Sequence, residues 1–248
     1  MKIKCAWMYH DIMDLYGDKG NIMTLSRRCK ERGIDFDVQT IGIGQEADLS
    51  EFDLVFMGGG ADKEQIVLIP DLLERKENIA KALDEGTFFF LICGAYQLFG
   101  QYYEAADHEK VKGLGFGSYY TETGKDGSRC IGNIVIDAQV DEHTLRLIGF
   151  ENHGGQTLGV EKPLGKVVHG SGNAFGAGFE GYYDGRMLGT YLHGPLLPKN
   201  GELADFILTK AIQKRHPQFK MANLGEYVNP WEAQARKAIL DRFSLNEL

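Results

Sequence analysis

The sequence predicts an α/β fold: one three-layer domain, a mostly parallel central sheet and helices on both faces. Three observations carry this. Phe88-Phe89-Phe90-Leu91-Ile92 is an unbroken apolar run, as a strand buried on both faces requires. The first hundred or so residues order themselves as β-α-β-β-α-β-α, which needs crossover helices and therefore parallel strands. No low-complexity linker or internal repeat divides the 248 residues, so a single domain over 1–248 with a continuous sheet is expected.

Each element has its own signal. Residues 3–8 read as the opening strand. Asn21 is placed to cap a helix running to about Glu31, and Gly33 to end it. Residues 36–41 alternate apolar and polar, and 54–57 form the next strand, closed by Gly58-Gly59-Gly60. A helical pattern covers 71–84 and stops at Gly86. The Phe88 strand follows, then Cys93 and a helix to about Tyr103. From Arg129 to Tyr191 short strands alternate with glycine-rich turns, at 133–136, 147–151, 166–169 and 187–192. Residues 179–183 and 187–191 flank Asp184-Gly185, a hairpin signal. Residues 202–215 and 230–243 read as helices, the second with Pro230 in its first turn.

The composition excludes several functions. A formal charge of −8 argues against nucleic acid as the main partner. No apolar run reaches membrane-span length, and no apolar leader with a small-residue cleavage site opens the chain. Cys5, Cys29, Cys93 and Cys130 are scattered, without metal-binding spacing, so no metal site is expected. A reduced, cytoplasmic protein is the expectation, with Cys5 and Cys29 as packing residues.

The chemistry centres on Cys93. A strand that bends sharply into a helix lifts the residue at the bend out of the sheet, beside a helix N-terminus that favours a thiolate. Such a cysteine can also be a small buried hydrophobe. Three features favour the nucleophile. Gly94 and Ala95 leave room for close approach, Gln97 lies one helical turn on, and His193 exits another apolar strand within Gly189-Thr190-Tyr191-Leu192-His193-Gly194-Pro195. His193 is placed to take a proton from Cys93. His10, His108, His143 and His216 sit in polar surroundings. Gly58-Gly59-Gly60 is either a plain tight turn or a loop whose N–H groups stabilise an oxyanion.

These residues resemble a known family. A Cys-Gly-x-x-Gln elbow, a preceding glycine loop and a distant strand-end histidine are similar to class I glutamine amidotransferases of the cobyric acid synthase-like branch. Within it, Leu15-Tyr16-Gly17-Asp18-Lys19-Gly20-Asn21-Ile22, Gly58-Gly59-Gly60-Ala61-Asp62-Lys63-Glu64-Gln65, Gly127-Ser128-Arg129-Cys130-Ile131-Gly132 and Phe150-Glu151-Asn152-His153-Gly154-Gly155-Gln156-Thr157 resemble glutaminase subunits of lipid II isoglutaminyl synthase. The resemblance covers nearly the whole chain and implies a flavodoxin-like amidotransferase fold. It also implies that Cys93 attacks the side-chain amide of L-glutamine, forming a thioester and releasing ammonia, with His193 as base and then acid. Gly59, Gly60 and Gly94 would hold the oxyanion, and Gln97 and Arg129 the substrate. A guanidinium can grip a carboxylate with two bonds. An exposed salt bridge is the other reading of Arg129. No cofactor is implied.

One departure stands out. Most class I amidotransferases carry an acid two residues after the histidine; here that residue is Pro195. Either a dyad suffices or the acid comes from elsewhere, and supply by a partner subunit is the expectation. The chain also lacks a Gly-x-x-x-x-Gly-Lys-Ser/Thr loop; residues 159–166 come nearest, with the wrong spacing. The resemblance therefore implies a heterodimer with a Mur ligase-like synthetase that amidates the D-glutamate of lipid II. The 15–21 loop and the C-terminal helix are the candidate docking surfaces. Other readings of the residues are amidation of a corrin-type carboxylate, a peptidase-like cysteine hydrolase and a non-catalytic regulatory subunit.

Overall fold

The computed structural model describes residues 1–226 and 229–248, apart from the side chain of Asp126. Lys2–Met8 is β1, followed by a short 3-10 turn at Leu15–Gly17 and by α1, Lys19–Glu31. Next come β2 (Asp35–Ile41), β3 (Leu54–Met57), α2 (Asp62–Glu74), α3 (Lys76–Asp84), β4 (Phe88–Ile92) and α4 (Gly94–Phe99). The short strands β5 (Tyr102–Glu104), β6 (Lys110–Lys112) and β7 (Tyr120–Thr123) lead to a long hairpin, β8 (Cys130–Val140) and β9 (His143–His153). The chain continues through β10 (Gly155–Leu158), β11 (Gly165–His169), β12 (Phe179–Glu180), β13 (Tyr182–Tyr183) and β14 (Met187–Thr190), and ends with α5 (Gly201–Gln213) and α6 (Pro230–Arg242).

The central sheet has the order β13-β14-β4-β3-β1-β2, parallel except for β13. Every residue of β3 and β4 is buried, because each strand has a strand on either side and a covered face above and below. Phe56 and Phe90 lie opposite each other across this pair, ring centroids 5.3 Å apart. The crossover from β1 runs outward to β2, and the crossover from β3 runs the other way to β4. The carboxyl ends of β1 and β3 therefore part at a switch point, where open α/β sheets hold their ligands. The glycine run, Cys93 and His193 all follow strands at this end.

The expected continuous sheet is instead three sheets. β10-β7-β5-β6 and β12-β11-β8-β9 stand apart from the central one. The cause is burial: β8 hides only part of its length and needs one covered face, so it pairs within its own antiparallel hairpin. A lone bridge, Phe150 with His193, links β9 to the segment after β14.

Three boundaries also differ. The helix expected at 71–84 is two helices broken at Arg75, and α2 begins nine residues earlier. It runs through Pro70, since burial of Leu68, Ile69 and Leu72 outweighs one missing backbone bond. The helix after Cys93 stops at Phe99, because Gly100 is extended and Tyr102–Glu104 pairs as a strand. Asn21 does not cap α1; it lies inside the helix, and its Oδ1 accepts the Leu197 N–H at 2.9 Å. Among the described residues, no helix is long and apolar enough to cross a membrane.

Candidate active site

Cys93 sits where β4 stops. Its backbone is forced to φ 49°, ψ −103°, a strained conformation for a residue with a side chain, and its N–H is pinned to Thr190 O at 2.8 Å. The next residue has to be small: a Cβ on Gly94 would lie 2.8 Å from Gln65 Nε2 and 3.1 Å from Gly60 O. The helix behind the elbow has only six residues, so its dipole is a minor aid to the thiolate. The larger aid is His193.

His193 is completely buried, and its N–H and C=O are both bonded to Phe150. A Cβ on Gly59 would lie 2.8 Å from His193 Cε1 and 3.3 Å from Cys93 Cβ, so both side chains flank this one glycine. Burial opposes a charge on His193. The negative charge of a Cys93 thiolate and the Asp18 carboxylate outweigh it and raise the imidazole pKa from 6.5 to about 10. Nε2 has no protein hydrogen-bond partner within the geometric limits among the described residues.

A carboxylate of this chain lies behind His193. Asp18 Oδ1 lies 3.5 Å from His193 Nδ1, at the outer limit of a hydrogen bond, and Asp18 is fully buried. Its other oxygen accepts the Gly59 N–H at 2.7 Å. This corrects one expectation: the Gly59 N–H already has a partner and is not an oxyanion donor. Gly59 O accepts the Leu15 N–H at 3.0 Å, so the planar peptide aims the Gly60 N–H away from Leu15. The N–H groups of Gly60 and Gly94 have no hydrogen-bond partner among the described residues.

Beside these groups lies a cavity of about 200 Å³, the size for a small metabolite rather than a peptide. Cys93, Gln97, Gln65, Arg129 and Asn152 line it. Arg129 is exposed, with no carboxylate within ion-pair distance among the described residues. Its Nε and Nη2 instead donate to Asn152 Oδ1 at 3.2 and 3.0 Å, and Asn152 Nδ2 donates to Tyr16 Oη at 2.6 Å. The Tyr16 ring stands edge-on to His193, centroids 5.0 Å apart. Gln97 is held at both ends: Oε1 accepts from Gln65 Nε2 at 3.2 Å, and Nε2 donates to Tyr191 Oη at 3.1 Å.

The sequence reading passed over Asp18, Gln65 and His153 as site residues. Asp18 sits in a polar turn 175 residues from His193, and nothing local marks it as buried. His153 is buried and stacked on Tyr191, centroids 3.7 Å apart. Burial lowers its pKa to about 4, and its Nδ1 faces Gly155 O at 2.7 Å, which fixes a neutral ring with its proton on Nδ1. It is no rival base. The 15–21 segment, a candidate docking surface in the sequence, turns Asp18 and Asn21 inward.

A thiol held in a strained strand–helix bend, with an imidazole sharing the same glycine, defines a cysteine-dependent α/β hydrolase. Sequence similarity narrows that class. Residues 4–201 match the CobB/CobQ-like glutamine amidotransferase domain, and the chain belongs to that family of glutamine-hydrolysing amidotransferases. It is 37% identical over 238 residues to the lipid II isoglutaminyl synthase (glutamine-hydrolyzing) subunit GatD of Staphylococcus aureus (strain N315), spanning 95% of each chain. It is 36% identical to the subunit of the same name from Streptococcus pneumoniae (strain ATCC BAA-255 / R6), over 88% of this chain and 83% of that one. A probable cobyric acid synthase of Methanocaldococcus jannaschii is 34% identical over 56% of this chain but only 29% of its own length.

Proposed function

We propose that this chain is the glutaminase subunit of a lipid II isoglutaminyl synthase, and that it passes ammonia to a Mur ligase-like synthetase with which it forms a heterodimer. The observation that carries the chemistry is the shared position of Cys93 and His193 around Gly59, with Asp18 behind the imidazole. The acceptor follows from the likeness to the S. aureus and S. pneumoniae subunits over most of their length.

The steps use this chain's own groups. The Cys93 thiolate attacks the side-chain carbonyl carbon of L-glutamine, and the carbonyl oxygen takes up the negative charge. The N–H groups of Gly60 and Gly94 hold that oxygen. The His193 imidazolium gives its proton to the amide nitrogen, the C–N bond breaks and ammonia leaves, giving a glutamyl thioester. Neutral His193 then takes a proton from water, whose oxygen attacks the thioester; glutamate leaves and the thiolate–imidazolium pair returns. Asp18 holds the imidazole so that Nε2 faces the reacting atoms. Arg129, oriented by Asn152, receives the substrate α-carboxylate, and Gln97 acts by fixing Gln65.

Ammonia released into water is protonated and lost, so the partner has to receive it directly. Exposed aromatic side chains at Tyr16, beside the site, and at Trp231 on α6 offer anchors for it. The test is amidation of lipid II by the co-purified pair, with L-glutamine or ammonium as nitrogen source. Glutamate release coupled to amidation supports the proposal. Glutamine hydrolysis with no effect of partner or lipid II rejects the acceptor, and no glutamate release at all rejects the glutaminase.

A further inference from the structure

Gln65 lies one turn into α2, just past the glycine run, and its side chain is almost completely buried in the cavity wall. Its Nε2 donates to Gly60 O at 3.1 Å and to Gln97 Oε1 at 3.2 Å. Gly60 O can only accept, so the amide nitrogen belongs on that side; the reverse orientation would set two oxygens against each other. The consequence falls on Oε1, which is buried and has no hydrogen-bond partner among the described residues. A carbonyl taken out of water without a donor is unfavourable, and such atoms call for an explanation. A ligand donor supplies one.

Resting on the glutaminase reading above, we propose that Gln65 Oε1 accepts a hydrogen bond from the α-ammonium of the substrate, making Gln65 a determinant of specificity for a free α-amino acid. Free glutamine has two nitrogen donors, and the geometry separates them. The leaving amide has to meet His193, which lies on the Gly59 side. Gln65 lies on the Gly60–Gly94 side, its Nε2 against the Gly94 backbone. The donor left for Oε1 is the α-ammonium. The rest of the cavity has matching polarity. Asp62 and Glu104 line it, Asp62 held by the Tyr103 hydroxyl and the Ala106 N–H, while Arg129 offers a guanidinium for the α-carboxylate. A zwitterion fits that lining better than an N-acylated or peptide-linked glutamine.

The test compares L-glutamine with 4-carbamoylbutanoate, the same molecule without its α-amino group, on the full chain co-purified with its synthetase partner. The wild type is expected to prefer L-glutamine in kcat/KM by about 10- to 100-fold, the range for a hydrogen bond to a charged group. In Gln65→Leu that preference collapses toward unity, because the loss falls on L-glutamine. Equal losses on both substrates would make Gln65 only a support for the Gly60 loop and overturn the proposal. A wild type indifferent to the α-amino group would overturn it without any variant, so a Gln65→Leu chain that fails to fold does not shield it. If the wild type hydrolyses neither substrate while iodoacetamide still modifies Cys93, the glutaminase reading fails instead.

Discussion

Asp18 joins two halves of the site: Oδ1 lies 3.5 Å from His193 Nδ1 while Oδ2 accepts the Gly59 N–H at 2.7 Å. One buried carboxylate thus touches both the imidazole and the loop that carries the Gly60 N–H. Asparagine cannot do both as a pure acceptor. If its oxygen keeps Gly59, its NH2 faces Nδ1 and favours the wrong imidazole tautomer. Asp18→Asn is expected to lower kcat by about 10²- to 10⁴-fold with the fold intact by circular dichroism. Near-normal kcat in this variant, measured with the synthetase present, would mean that the imidazole is oriented by a group outside this chain.

On the proposed mechanism Cys93 releases ammonia from L-glutamine and takes no part in activating the acceptor. Cys93→Ala is expected to abolish glutamine-dependent amidation while ammonium still supports it. Equal loss with both nitrogen sources would count against that division of labour.

Arg129 is exposed and, among the described residues, is held by Asn152, so its removal leaves no buried charge behind there. Arg129→Ala is expected to raise KM for L-glutamine by about 10- to 100-fold with a smaller effect on kcat, as for a binding contact made equally in ground and transition states. Unchanged kinetics would remove Arg129 from the site.

Glu180 is fully buried beneath the strand that delivers His193, accepting from Tyr191 N–H at 2.6 Å and from Thr190 Oγ1. Burial raises its pKa from 4.5 to about 8. The folded chain therefore holds this proton more tightly than the unfolded chain does. Its stabilising contribution is complete below about pH 4.5 and is lost as pH rises toward about 8. Differential scanning calorimetry across that window should show Tm falling with pH in the wild type and a flatter profile in Glu180→Gln. Parallel profiles would contradict this.

Asp205 on α5 accepts from Arg28 Nε and Nη2 at 2.6 Å and from Arg32 Nη2 at 2.7 Å, with Arg28 almost wholly buried. Asp205→Ala removes the buried carboxylate that both cations share. Urea unfolding is expected to show a loss of about 3–5 kcal/mol; a change under about 1 kcal/mol would show that water reaches the pair readily.

Cys93 and His193 stand out in the sequence because both positions obey local rules. An apolar run that ends in Cys-Gly has few structural solutions, and a histidine leaving a second apolar strand at a Gly-Pro turn has to emerge at a strand end. Arg129 was legible only through resemblance, since nothing in its spacing distinguishes it from a surface charge. Asp18 is not marked out by its sequence neighbours, because polar turns look alike whether they face water or a buried imidazole. Gln65 lay hidden in a helix whose start was obscured by Pro70. Gly59 was assigned an N–H that the fold directs to Asp18.

The sequence by itself determined the strand–elbow–helix frame and the chemical identity of the reacting groups, because burial patterns and bends are set by residues close together in the chain. Tertiary structure alone decided which polar groups share the site. Asp18 meets His193, and Gln65 meets Gly60 and Gln97, only after strands distant in sequence have become neighbours. The physical reason is that a hydrogen bond depends on position to within a few tenths of an ångström, and no one-dimensional pattern encodes that.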